Sequence, residues 1–150
     1  FSLELARRGA HVKSLDAAGK RIDRLKWLTN YFNLNELIQP EVATLESLQD
    51  SNERFDFVFM IALLYHLKYP LLGLEIISQL TDKLYLESAL HNSNDDSYLY
   101  LKPPQDGVHS IPKWFPTEKC VVDMLKYVGF SNIQFLERPK FNRGIYIASR

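Results

Sequence analysis

Residues 55–63 read FDFVFMIAL, and this stretch decides the fold. Nine residues are too few for an ordinary amphipathic helix and show no 3.6-residue period. A near-continuous apolar run of that length reads as a β-strand buried on both faces, the kind found in parallel sheets covered by helices. Its neighbours agree. Pro70 follows at the start of a helical pattern, where its missing N–H costs nothing. Leu74, Ile77 and Leu80 then give that helix an apolar face. KLYLESAL (83–90) reads as the next strand, so the unit is strand, helix, strand.

The same alternation extends in both directions. HVKSLD (11–16) reads as a strand ending at Asp16, followed by a helix through about Phe32 with Ile22, Leu25, Leu28 and Phe32 as its stripe. Pro40 reads as a break, and EVATLESL (41–48) as a further strand. Residues 91–116 show no clear period, and loops of that length tend to be functional or disordered. Thr117 and Glu118 open another helix as cap and first-turn acid. Its apolar face is Cys120, Val121, Met124, Leu125 and Val128, and Gly129 closes it. NIQFLER and GIYIAS, joined by PKFN, read as a terminal hairpin. Alternating strands and helices predict an α/β fold in a single domain over 1–150, with a mostly parallel sheet and an antiparallel hairpin at its C-terminal end. The pattern Phe1, Leu5, Gly9 reads as a helix with no strand before it. Crossover units place a strand before each helix, so the expectation is that a first strand and its turn precede Phe1.

Composition narrows the function classes. Of 150 residues, 46% are hydrophobic and 24% charged, with formal net charge zero. Such a length suits one domain with a real core. Zero net charge removes any global electrostatic case for nucleic-acid binding. A single cysteine, Cys120, allows no intrachain disulfide and fits a reducing compartment such as the cytoplasm. No apolar run reaches the roughly 18–20 residues of a membrane helix. His91 and His109 lack ligand partners at metal spacing, so no metal site is expected.

Three stretches carry a family resemblance: FDFVFMIALLYHLKYPLLGL, KWFPTEKCVVDMLKYVGF and RRGAHVKSLDAA. Together they resemble class I S-adenosylmethionine-dependent methyltransferases, nearest to the subgroup of tRNA wobble-uridine methyltransferase-like and carboxymethyltransferase proteins. The resemblance implies a Rossmann-like three-layer sandwich. It also implies S-adenosylmethionine as cofactor, with the glycine-rich cofactor loop lying before Phe1. The methyl acceptor would be a small molecule or tRNA. Carboxymethyl transfer to the tRNA wobble uridine is an alternative, as is an inactive scaffold.

The resemblance assigns roles to particular residues. Asp16, with Ala17 beside it, would accept the cofactor's ribose hydroxyls; alternatively Asp16 caps the following helix. Leu45 and Glu46 would flank the adenine, or simply end a strand. Ile61 and Tyr65 would face the cofactor at the end of the apolar strand. Tyr65 and His66 are the candidate catalytic groups, His66 because an unperturbed histidine side chain changes charge near neutrality; the bland alternative has His66 bonding nearby backbone. Arg143 would grip a carboxylate with its planar fork, or stand as a solvated cation at a hairpin turn. Trp114 and Phe115 would roof the substrate or pack the loop, and Cys120 reads as core.

Overall fold

The computed structural model describes residues 1–93, 96–104, 113–137 and 142–150. By its internal contacts the chain divides into two compact units, Phe1–Asp50 and Ser51–Arg150.

In the first unit, α1 (Ser2–Arg7) is closed by Gly9 at φ +89°. The Ala10 N–H reaches the Leu5 carbonyl and the Gly9 N–H that of Ala6, a left-handed closure that glycine adopts without a Cβ penalty. Strand β1 (Val12–Asp16) leads into α2 (Gly19–Tyr31), which crosses over to β2 (Ile38–Val42). The two strands pair in parallel from Val12↔Ile38 to Asp16↔Val42. Strand β2 therefore lies earlier than 41–48 and contains Pro40. The bonds Val12 N–H to Leu37 O and Ala43 N–H to Asp16 O put the odd-numbered residues of β2 toward β1. Pro40 faces the other way, where a missing N–H breaks no bond of that ladder. Residues Leu45–Leu48 form a 3₁₀ turn instead of a strand. Ile22 and Thr29 are the buried residues of α2, while Phe32 is its exposed C-cap, with the Arg7 guanidinium over its ring.

The second unit begins with β3 (Val58–Ile61). The apolar run is buried on one face only: Met60 is buried, whereas Phe59 is exposed and packs on Phe57 and Tyr85. A 3₁₀ turn, Leu64–His66, connects β3 to α3 (Pro70–Leu80), with Pro70 in its first turn. Strand β4 (Lys83–Ala89) follows, then a hairpin of β5 (Leu99–Lys102) and β6 (Lys113–Pro116), helix α4 (Glu118–Tyr127), β7 (Asn132–Glu137) and β8 (Arg143–Ser149). The β5–β6 hairpin occupies the segment without period, and its connecting residues 105–112, His109 among them, lie outside the described residues. So does most of the PKFN turn between β7 and β8.

The strand order is β3-β4-β8-β7. Strand β3 pairs with β4 in parallel, and β8 pairs antiparallel with both β4 and β7. Strands β3, β4 and β7 thus run one way, with β8 reversed between the last two. Leu74, Leu80, Leu84, Leu86, Val121, Leu125, Phe130, Tyr146 and Ala148 are all at most 2% exposed and form the core. Each large aliphatic side chain so buried contributes about 1.5–3 kcal/mol before chain entropy is counted. Thr117 caps α4 by accepting the Cys120 N–H, and Gly129 at φ +98° ends it.

Candidate functional site

Open α/β folds bind ligands beyond the carboxyl ends of their parallel strands. Each unit has such an end.

In the first unit Asp16 is the last residue of β1. Its carboxylate accepts the Ala18 N–H at 2.8 Å and the Arg21 guanidinium at 3.2 Å. Helix α2 starts at Gly19 with Ala18 as N-cap, so Asp16 precedes the cap and closes an Asx turn instead of capping the helix itself. Ala17 is exposed beside it. Leu45 is buried and Glu46 exposed, both on the 3₁₀ turn after β2. A shallow depression at the opposite end of the β1–β2 pair is lined by His11, Asn33, Asn35, Glu36 and Leu37. It lies at the amino ends of the strands, away from Asp16.

In the second unit Ile61 ends β3 and Ala62 follows at φ +54°. A left-handed conformation is uncommon for a residue with a Cβ, and it turns the chain sharply out of the strand. Buried Glu87, on β4, holds this turn: the Ala62 N–H donates both to the Glu87 backbone carbonyl and to Oε2, each at 3.0 Å. Arg143 completes the arrangement. Glu87 lies opposite Ile145 in the β4–β8 register, and Arg143 is two residues from Ile145 on the same face. Its guanidinium grips the carboxylate through two parallel bonds, Nε to Oε1 and Nη2 to Oε2. The third nitrogen, Nη1, reaches the Tyr65 hydroxyl at 3.5 Å, and the guanidinium carbon sits 5.4 Å from the centre of the Tyr65 ring. The Glu87 bonds raise the Arg143 pKa above its already high ordinary value.

Arg143 is thus no solvated turn cation. It is the centre of a Glu87–Arg143–Tyr65 cluster, and the Arg143 side chain is 28% exposed. Tyr65 is buried, stacks on Phe115 of β6 with ring centres 6.0 Å apart, and touches the His66 ring. His66 is exposed at the end of its 3₁₀ turn. Trp114 and Phe115 belong to a strand, and Phe115 does pack over Tyr65. Cys120 is buried on α4, and burial pushes its thiol pKa up. Glu87 is the residue that sequence reasoning missed. Its signal was a lone carboxylate inside KLYLESAL, which a buried strand tolerates only with a cationic partner. Among the described residues there is no group of three or more His, Cys, Asp or Glu able to hold a metal, and no helix long and apolar enough to cross a membrane.

This Rossmann-like α/β fold is shared with solved S-adenosylmethionine-dependent methyltransferases. The N-terminal domain of EvdMO1, solved with S-adenosylhomocysteine bound, superimposes with a TM-score of 0.84 at 18% identity, covering 98% of this chain and 68% of that one. The 1,6-didemethyltoxoflavin-N1-methyltransferase of Burkholderia thailandensis, solved with 1,6-didemethyltoxoflavin and S-adenosylhomocysteine, gives 0.70 at 17% identity, covering 99% of this chain and 64% of that one. The [4+2]-cyclase SpnF gives 0.74 at 11% identity, covering 99% and 70%. No protein-family profile and no curated protein sequence matches the chain.

Proposed function

We propose that this chain is a single methyltransferase domain that binds S-adenosylmethionine and transfers its methyl group to a nucleophile on a small molecule, in the cytoplasm. The observation that carries the reading is the superposition, over 98% of the chain, on a domain solved with S-adenosylhomocysteine. The chain's own residues fit the cofactor. Asp16 ends β1 with a carboxylate whose side chain is 32% exposed. It keeps lone pairs for ribose hydroxyls beyond the two it gives to Ala18 and Arg21, and Ala17 is open beside it. Leu45 and Glu46 are assigned to the adenine, Glu46 as acceptor for its amine and Leu45 as the apolar neighbour. Ile61 and Tyr65 are assigned to the amino-acid end, where Tyr65 is held by Arg143.

The bound cofactor supplies a sulfonium-activated methyl group. The residues' part is to orient two reactants in line, which is worth far more than any single contact. His66, exposed beside Tyr65, is assigned to help remove a proton from the acceptor. The tRNA carboxymethyl alternative asks Arg143 to hold an extra carboxylate. Two of its three nitrogens are already on Glu87, which favours ordinary S-adenosylmethionine. The same fold also serves a reaction of another class in the [4+2]-cyclase SpnF, so fold alone does not carry the reaction.

Calorimetry separates these readings from an inert scaffold. S-adenosylmethionine should bind with saturable heat, and Asp16→Ala should weaken it roughly ten- to hundredfold, the worth of hydrogen bonds to a charged group. A lowered melting temperature with unchanged affinity would make Asp16 a turn residue only. Absence of heat from the folded wild type would rule out the cofactor.

A further inference from the structure

One face of the β5–β6 hairpin carries an ordered series of groups. Directly opposed residues of an antiparallel pair share a face, as do residues two apart. The register pairs Tyr100 with Phe115 and Lys102 with Lys113, so all four lie on one face. Tyr98 continues it: its carbonyl accepts the Thr117 N–H at 3.1 Å, extending the ribbon by one step. Against that face comes His91, just beyond the carboxyl end of β4. Its ring is 5.1 Å from Tyr100 and 5.3 Å from Tyr98, and its N–H is fixed on the Pro116 carbonyl at 2.8 Å.

The two ends of the face differ in chemistry. At one end, His91 Nδ1 receives the Ser93 N–H at 3.3 Å. A backbone N–H can only donate, so Nδ1 carries the lone pair. The Tyr98 hydroxyl, 2.8 Å from Nδ1, therefore donates to it as well and keeps its own oxygen lone pairs for another partner. At the other end two lysines stand directly opposite one another, an unfavourable pairing unless an anion lies between them. Among the described residues neither has a carboxylate partner. Tyr100, 47% exposed, offers a ring face in the middle.

We propose that this face is the substrate site for a hydroxylated aromatic carboxylate. Its ring stacks on Tyr100, its carboxylate meets Lys102 and Lys113, and its phenolic hydroxyl meets the Tyr98–His91 pair. Four residues separate Tyr98 from Lys102, about 13 Å of strand, which an extended hydroxyaromatic acid and the reach of a lysine side chain cover. The assignment rests on the methyl-transfer reading and names its substrate class. For this substrate class Tyr98, in place of His66, is the catalytic residue that takes the acceptor's proton, and His91 is a positioning residue acting through it. The phenolic proton passes to the Tyr98 oxygen as the proton of Tyr98 moves to His91 Nδ1. With the sulfonium cofactor bound, the phenolate oxygen would form its bond to the methyl carbon as the carbon–sulfur bond breaks and its electron pair stays on sulfur. The products are the aryl methyl ether and S-adenosylhomocysteine, and the imidazolium returns its proton to water. The groups placed against His91 are the ring of Tyr98, just before β5, the ring of Tyr100 on β5, the Ser93 N–H and the Pro116 carbonyl; no acidic or basic side chain is among them.

The test is binding of p-coumarate and its methyl ester to the whole chain, followed by the ultraviolet band of the phenolate. The wild type should bind the acid more tightly than the ester. It should also show the phenolate band at a pH where the free probe is a phenol, with roughly ten times the free phenolate fraction. The Lys102→Gln/Lys113→Gln double variant should weaken the acid about fivefold or more and leave the ester unchanged. Tyr98→Phe should weaken binding about two- to tenfold and lose the band. His91→Asn, which keeps an acceptor near the Nδ1 position but cannot take a proton, should do the same and serves if Tyr98→Phe does not fold. No saturable binding, equal binding of acid and ester, or a phenolate band that survives in the folded variants overturns the proposal. S-adenosylhomocysteine binding is read on the same sample. Cofactor bound with p-coumarate ignored refutes the substrate class alone, whereas failure to bind cofactor refutes the methyl-transfer reading.

Discussion

Glu87→Gln is the perturbation that most sharply probes the second unit. The Glu87 side chain is 10% exposed, and its carboxylate receives two Arg143 N–H groups and the Ala62 N–H. All three partners are donors. A glutamine can face them with one oxygen only, so its amide nitrogen must meet at least one N–H head-on. Removing one partner of a fully buried ion pair costs about 3–5 kcal/mol. Arg143 is 28% exposed, so water recovers part of this. The expected loss is therefore about 2–3 kcal/mol in urea unfolding, with an unchanged slope. Replacing both partners, as Glu87→Leu with Arg143→Met, should cost less than Glu87→Leu alone, because no charge is left stranded. The double-mutant cycle should return a coupling above about 1 kcal/mol. A Glu87→Gln protein within about 0.5 kcal/mol of the wild type, or a coupling near zero, would show that the cluster is an ordinary surface ion pair.

Three further outcomes follow from the packing. Gly144→Ala places a Cβ 2.7 Å from Leu90 Cδ1 and 2.9 Å from the Tyr146 ring, both residues buried, and should cost about 1–3 kcal/mol by overpacking in thermal or urea unfolding. Thr117→Ala removes a buried hydroxyl that donates to the Asp96 carbonyl at 2.6 Å and accepts the Cys120 N–H, and should cost about 1–2 kcal/mol, read as a lower urea midpoint. Burial raises the Cys120 pKa, so the folded state holds its thiol proton longer than the unfolded state. That stability is complete below the unfolded value of about 8.5 and is lost as pH rises through the folded value; the alkaline fall of the urea midpoint should flatten in Cys120→Ala.

How much of this was legible in the sequence depended on whether local chemistry and tertiary environment agreed. Helices α3 and α4 announced themselves because Pro70, Thr117 and Gly129 each suit one place in a helix. Strand β4 and the β7–β8 pair were legible from length and composition. The β5–β6 hairpin was not: Tyr98, Leu99, Tyr100 and Leu101 are apolar on both faces, so no period of two appears, and Pro103–Pro104 follow at once. Pro40 was read as a break because the sequence does not say which side of β2 meets β1. Arg143 stayed open in the sequence between a carboxylate grip and a solvated cation, because its partner Glu87 lies 56 residues away, across a strand pairing that only the fold creates. Asp16 was placed correctly at a strand end, since the strand and helix flanking it are local.

The account's central claim is that S-adenosylmethionine binds at the carboxyl ends of the parallel strands. Amide NMR of the labelled chain, titrated with S-adenosylhomocysteine, tests it most directly. The account predicts saturable shifts at Asp16, Ala17 and Ala18, at Leu45 and Glu46, and from Ile61 to Tyr65, with little change at His11, Asn33 and Leu37 at the opposite end of β1 and β2. Shifts confined to that opposite end, or a spectrum that does not change in excess ligand, would contradict it.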